Sequence, residues 1–79
     1  MDNLHKLVDV FATGLDIPAD RIGEGLAYGD CAEWDSVAHM ALVTELEIVF
    51  DVMLETEDII AMSSLAEARR ILARHGVNF

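Results

Sequence analysis

The sequence predicts an all-α domain, a small four-helix bundle with three principal helices, a short third helix and a long loop between helices one and two. Apolar residues recur at helical spacing in three separate stretches. Residues that commonly cap helices stand at the start of these stretches. The chain of 79 residues contains no internal repeat, low-complexity tract or linker, so residues 1–79 are predicted to form one domain.

The first helix is predicted from Asp2 or Asn3 to Thr13, and Gly14 is expected to end it in a left-handed conformation. Its apolar residues at helical spacing are Leu4, Leu7, Val8 and Phe11.

About twenty residues, 15–34, connect helices one and two. A structureless loop of that length is unusual in so small a domain, so its apolar residues are expected to be fixed across the core. These residues are Leu15, Ile17, Ile22, Leu26 and Tyr28. A short turn is predicted over residues 18–22, with Pro18 at its start.

The second helix is predicted from Ser36 to about Phe50, with Asp35 as its N-cap, because a carboxylate there can accept hydrogen bonds from first-turn amides. One face is expected to lie in the core and carries Leu42, Val43, Leu46 and Phe50. The opposite face carries more apolar surface than a solvated face needs, at Val37, Ala41, Thr44 and Ile48. The two faces are therefore expected to have different roles.

A connector over residues 51–55, with Val52 and Leu54 buried, is expected to lead into a short third helix. Thr56 is expected to cap this helix, which is predicted from Glu57 to about Met62. Its first turn carries two acids, as the helix dipole favours, at Glu57 and Asp58.

Ser64 and Glu67 have the spacing of a capping box and predict the start of the fourth helix, which Gly76 is expected to end. Its predicted apolar stripe consists of Leu65, Ala68, Ile71 and Leu72. Its predicted solvated side carries Arg69, Arg70 and Arg74.

Acidic residues dominate the charge, with 15 Asp and Glu against 5 Lys and Arg and a formal net charge of −10. This balance argues against nucleic acid and anionic membranes as partners. No Lys or Arg occurs between Arg21 and Arg69. The acids in this window are Glu24, Asp30, Glu33, Asp35, Glu45, Glu47, Asp51, Glu55, Glu57, Asp58 and Glu67. A solvated acidic face is one interpretation, and a surface for basic partners is the other; the position of Ser36 in the window favours the second.

The chain is predicted to be cytoplasmic, without membrane insertion. It has no apolar run long enough to cross a bilayer, and its first residues lack the pattern of a signal peptide. The single cysteine, Cys31, excludes an internal disulfide and is expected to be an unreactive loop residue.

No catalytic or metal site is predicted, since the three histidines lack a metal-ligand spacing and no nucleophile motif occurs. His5 and His75 lie near the chain ends and are given no role. For His39 two interpretations remain. It packs on Trp34 as a hydrophobic staple, or it helps to position a group attached at Ser36.

Ser36 would stand at the first helical position, beside the positive end of the helix dipole. A phosphate bonded to its hydroxyl would be stabilised there. An ordinary helix start is the alternative, because Asp-Ser begins many helices.

The residues Asp35-Ser36-Val37 open a pattern that resembles the acyl carrier proteins. The pattern continues with Leu42-Val43, Leu46-Glu47, Phe50-Asp51, Asp58-Ile59, Ser64-Leu65 and Ile71-Leu72. The resemblance extends from Leu4 to Leu72, with Val37 where Leu completes the hallmark of that family. Trp34 with His39-Met40 resembles the stand-alone carriers outside primary fatty-acid synthesis.

The resemblance implies a carrier rather than an enzyme. A phosphopantetheinyl transferase would place 4′-phosphopantetheine from coenzyme A on Ser36, with Asp35 near the magnesium ion of the transferase. The arm would hold an acyl or aminoacyl group as a thioester in a specialised biosynthetic pathway. The further partners would be a loading ligase and a downstream acyltransferase or synthase, and the carrier would be a monomer.

The resemblance also implies that partners dock on helix two and the start of helix three. The expected docking residues are Val37, Met40, Ala41, Thr44, Glu45, Glu47, Ile48, Glu57 and Asp58. Ala41 and Ile48 occupy positions where the family commonly has Glu, which favours a more apolar contact. The alternative function is a non-covalent acidic helical module that binds a basic amphipathic partner.

Overall fold

A computed structural model describes residues 2–23, 26–29 and 31–79, in which four α-helices form and confirm the all-α class. The helices are α1 (Asn3–Leu15), α2 (Ser36–Phe50), α3 (Thr56–Ala61) and α4 (Leu65–Arg74). A turn of 3₁₀ helix covers Ala19–Arg21 directly after Pro18, as the sequence predicted. Two acids of the predicted acidic window, Glu24 and Asp30, lie outside the described residues.

Helix α1 begins where predicted and ends later than predicted. Asp2 caps it by accepting the amide of His5 at 2.8 Å. The residue in the left-handed conformation is Asp16, with φ 56°, and not Gly14. Gly14 lies inside the helix, where a Cβ atom would come within 3.3 Å of the Cα of Leu42. The glycine therefore permits a close approach of α1 and α2, and the prediction that it ends the helix was wrong.

All four helices and the long connection contribute to one apolar core. Its largest fully buried side chains are Leu7, Phe11, Leu42, Val43, Leu46, Met62, Ile71 and Leu72. Ile17 and Ile22 are buried and Leu26 is partly buried, so these loop residues are fixed as predicted. Tyr28 is instead 46% exposed. Its amide donates to the carbonyl of Ser63 at 2.8 Å and ties the loop to the α3–α4 connection.

Helix α3 is capped by Glu55, not by Thr56 as predicted. The amide of Glu55 donates to Oδ2 of Asp58 at 3.2 Å, so the third helical residue bonds back to the cap. The connector before it is held from α2, because Oε2 of Glu47 accepts the amide of Leu54 at 3.0 Å. Leu54 is buried as predicted, and Val52 is half-buried.

Helix α4 begins where predicted, and Oγ of its N-cap Ser64 accepts the amide of Glu67 at 3.1 Å. Its end is tied to α3 by Asp58, which bonds to Arg74 at 3.0 Å and to His75 at 2.8 Å. His75 thus has a structural role that the sequence did not indicate. The bond from His75, followed by the amide of Glu55, lowers the pKa of the Asp58 carboxyl.

Within the described part of the chain, no helix has the length and apolar character needed to span a bilayer.

Candidate functional site

Ser36 occupies the first position of α2 and is exposed, and the helix boundaries are those the sequence predicted. Asp35 is extended, with φ −99° and ψ −174°, and its Oδ1 accepts the amide of Ala38 at 2.8 Å. The capping role therefore belongs to Asp35, as predicted. The Ser36 hydroxyl stands at the edge of the first turn, where the free amides create a positive potential.

The segment before Asp35 is held by an ion pair. Arg21 in the 3₁₀ turn donates to both carboxylate oxygens of Glu33, at 2.9 and 3.3 Å. The bond from Arg21 lowers the pKa of Glu33 to about 2, with smaller contributions from its own backbone amide and the Cys31 thiol. Cys31 is buried, and its Sγ lies 3.5 Å from Oε1 of Glu33. The pair is partly solvated, so its main effect is to fix the direction of the chain entering α2.

Trp34 and His39 form the staple that the sequence predicted. The two ring planes are close to parallel, at an angle of 24°, and the ring centroids are 5.9 Å apart. Trp34 is buried, and its Nε1–H donates to Nδ1 of His39 at 2.9 Å. The other ring nitrogen of His39, Nε2, lies 2.8 Å from the carbonyl oxygen of Ile59 in α3. No local pattern indicates this second bond, because Ile59 is 20 residues away.

A pocket of about 220 Å³ opens beside His39. Its lining is mostly apolar and consists of Tyr28, His39, Ile59, Ile60, Met62 and Ser63. Ser36 and His39 are three residues apart on α2, a spacing that brings Cβ atoms to about 5–6 Å. His39, which forms one wall of the pocket, therefore lies within one helical turn of Ser36. No residue of its lining except His39 was singled out near Ser36 from the sequence.

Most of the apolar residues expected at the docking surface are exposed. Val37 is 80% exposed, Ile48 68% and Met40 51%. Ala41 and Thr44 are also exposed, although the Thr44 hydroxyl donates to the Met40 carbonyl at 3.0 Å within the helix.

The acids expected at the docking surface divide into exposed and engaged groups. Glu57 is exposed and Glu45 is half-buried. Glu47 is half-buried and bonded to the connector, as described above. Asp58 is only 9% exposed and is bonded to Arg74 and His75, so it does not belong to the exposed surface expected there. Two exposed apolar side chains that the sequence analysis did not include are Met53, 81% exposed, and Ile60, 77% exposed.

In the ranges that the structure describes, no group of three or more His, Cys, Asp or Glu side chains could hold a metal ion. The site around Ser36 thus consists of an exposed hydroxyl, a capping carboxylate, the Trp34–His39 pair and a small apolar pocket.

Comparisons of the chain with protein-family models, with curated proteins and with solved structures gave no match.

Proposed function

We propose that this chain is a carrier protein of the acyl carrier type, with 4′-phosphopantetheine attached at Ser36. The observation that carries the proposal is that two different residues provide the free hydroxyl and the helix cap at the start of α2. Ser36 is exposed at the first helical position, while Asp35 makes the cap. A hydroxyl in this position can form a phosphoester without loss of the cap, and the helix dipole favours the phosphate. The residues around Ser36 therefore fit the group.

Attachment would be a phosphoryl transfer from coenzyme A, catalysed by a phosphopantetheinyl transferase that holds magnesium in its own site. A bond forms between Oγ of Ser36 and the phosphorus of phosphopantetheine. The bond from that phosphorus to the bridging oxygen breaks, the adenosine bisphosphate half leaves, and the Oγ proton passes to a base of the transferase. The arm supplies a terminal thiol that holds an acyl or aminoacyl group as a thioester.

In this proposal the chain is not itself an enzyme, and it acts as a cytoplasmic monomer with the four-helix bundle arrangement of a carrier. Its partners are the transferase, a loading ligase and a downstream acyltransferase or synthase of a specialised pathway. Asp35 is proposed to contact the magnesium of the transferase.

The docking surface is proposed to be apolar with an acidic surround. Its apolar members are Val37, Met40, Ala41, Thr44 and Ile48, and its exposed or half-buried acids are Glu45 and Glu57. Charge would speed the encounter with a basic partner, and apolar contact would lengthen the life of the complex.

A second candidate is a non-covalent acidic module that binds a basic amphipathic partner. The exposure of Val37 and Ile48 on α2 favours it, since both positions would be compatible with a partner helix. Intact mass spectrometry distinguishes the two candidates. After incubation with coenzyme A, magnesium and a broad-specificity transferase, a carrier gains the mass of one phosphopantetheine group, and a non-covalent module keeps its original mass.

A further inference from the structure

We propose that His39, one helical turn from Ser36, is a positioning residue. Its imidazole, in a single tautomer, bonds to Trp34 and to Ile59 and so locks α3 onto the start of α2. The consequence for the group carried on Ser36 rests on the proposed function. The lock itself does not, because it is made entirely by the unmodified chain.

The tautomer follows from the chemistry of the two partners. The indole nitrogen of Trp34 can only donate, so Nδ1 of His39, at 2.9 Å, must accept. The carbonyl of Ile59 can only accept, so Nε2, at 2.8 Å, must carry the proton. Only the neutral imidazole protonated at Nε2 satisfies both bonds. Packing restricts the ring as well, with the Tyr28 ring at a centroid distance of 5.6 Å.

The lock joins three separate parts of the chain. Trp34 ends the long connection, His39 lies in the first turn of α2, and Ile59 lies in α3. Other bonds that hold α3 are those of Asp58 to Glu55, Arg74 and His75 at its start and the bridge near Ser63 after its end, and Ile59 also packs against the core. His39 therefore supplies the tie at the middle of α3. It also fixes the wall that Ile59 contributes to the pocket beside His39.

A second proton on His39 would break the lock. It would place an N–H on Nδ1, facing the N–H of Trp34, so two donors would meet and no acceptor would remain. The ionisable side chain in contact with the ring is the Tyr28 phenol. The titratable side chains of α3 itself are Glu57, which is exposed, and Asp58, which bonds to Arg74 and His75.

Hydrogen exchange of the unmodified full chain, followed by NMR, tests the lock. The probes are the Trp34 indole N–H and the Ile59 amide, with the Phe11 amide of α1 as reference for global unfolding. His39→Leu puts an apolar side chain in place of the imidazole and so removes both hydrogen bonds. His39→Gln keeps one acceptor and one donor and does not titrate between pH 5 and pH 8.

We expect the two probes in His39→Leu to exchange about fivefold faster relative to Phe11, the factor that corresponds to one ordinary hydrogen bond. In His39→Gln the exchange should stay near that of the wild type. Acidification should speed exchange in the wild type relative to His39→Gln at the same pH, a comparison that removes the intrinsic pH dependence of exchange. Equal exchange in the Leu variant and the wild type, or an equal response of wild type and Gln variant to acid, would overturn the proposal.

The rate of phosphopantetheine attachment provides the link to Ser36. We expect His39→Leu to be modified more slowly than the wild type and His39→Gln at a similar rate. If the exchange results are those predicted above but neither the wild type nor the variants gain the mass of phosphopantetheine, the proposed function fails while the lock stands. If Ser36 is modified but the exchange results disagree, only the lock fails.

Discussion

The Asp58 carboxylate and the His75 imidazole lie 2.8 Å apart, and this contact joins the first turn of α3 to the end of α4. The second carboxylate oxygen accepts from Arg74 at 3.0 Å. The amide of Glu55 also donates to Asp58, so a single side chain serves both helices. Asp58 is thus a structural residue at the edge of the proposed docking surface.

Asp58→Asn should change the response of the fold to acid. The pKa of the Asp58 carboxyl is lowered from its ordinary 3.8, first by the bond from His75 and then by the Glu55 amide. The carboxylate therefore stabilises the fold above that ordinary pKa and loses this effect as the pH falls through the lowered value. We predict a lower thermal midpoint near neutral pH and a smaller decline on acidification below about pH 4. Circular dichroism melts over this range test it, with Asp9→Asn as the exposed control. Identical profiles for the Asp58 variant and the wild type would contradict it.

Asp35→Ala should destabilise the domain by about 1 kcal/mol, because the amide of Ala38 loses its cap. In a domain of this size the thermal midpoint should fall by about 4–8 °C. Asp35→Asn is the matched control, since Asn caps about as well as Asp, and its midpoint should stay near that of the wild type. An alanine variant as stable as the asparagine variant would mean that the cap contributes nothing.

Gly14→Ala should destabilise the domain, although alanine is normally preferred to glycine inside a helix by about 1 kcal/mol. The added Cβ would lie 3.3 Å from the Cα of Leu42, and backbone of α2 cannot yield as a flexible side chain would. The control is Thr13→Ala, at an exposed neighbouring position, which should be neutral or slightly stabilising. Chemical denaturation gives both free energies of unfolding, and a more stable Gly14→Ala would show that the two helices have room to separate.

The sequence predicted those features whose cause is local. The cap at Asp35, the start of α4 at Ser64 and the core face of α2 depend on neighbouring residues. The cap and the start of α4 are confirmed, and so are Leu42, Val43 and Leu46 of the core face, whereas Phe50 was predicted to be core and is only half-buried. The prediction that Gly14 ends α1 was wrong because this glycine serves the close contact with α2, and no local pattern in the sequence shows that contact. Asp58 was placed on the surface for a similar reason, since its partner His75 is 17 residues away.

Around Ser36, the sequence predicted the staple between Trp34 and His39 but not the bond from His39 to Ile59. The staple has a fixed spacing along the chain, whereas the bond depends on how α3 packs. The pocket beside His39 was missed for the same reason, because its walls come from the long loop and α3 as well as α2.

Ile48→Glu tests the proposed docking surface. Ile48 is 68% exposed, so the substitution should change the free energy of unfolding by no more than about 0.5 kcal/mol. The life of the complex with the cognate loading enzyme should shorten, which surface plasmon resonance measures as a faster dissociation rate. Met53→Glu, at an exposed residue outside the proposed surface, is the control and should leave that rate unchanged. Equal dissociation rates for wild type and Ile48→Glu would place the contact elsewhere.

The attachment of one phosphopantetheine group at Ser36 is the central claim, and intact mass spectrometry of Ser36→Ala tests it most directly. This variant should fold normally, because Asp35 makes the cap and alanine is a good helix former. Wild type and the control Ser63→Ala, at another exposed serine, should each gain one phosphopantetheine group from coenzyme A in the presence of transferase and magnesium. Ser36→Ala should gain none, and a Ser36→Ala chain that still gained that mass, or a wild type that gained nothing, would contradict the claim.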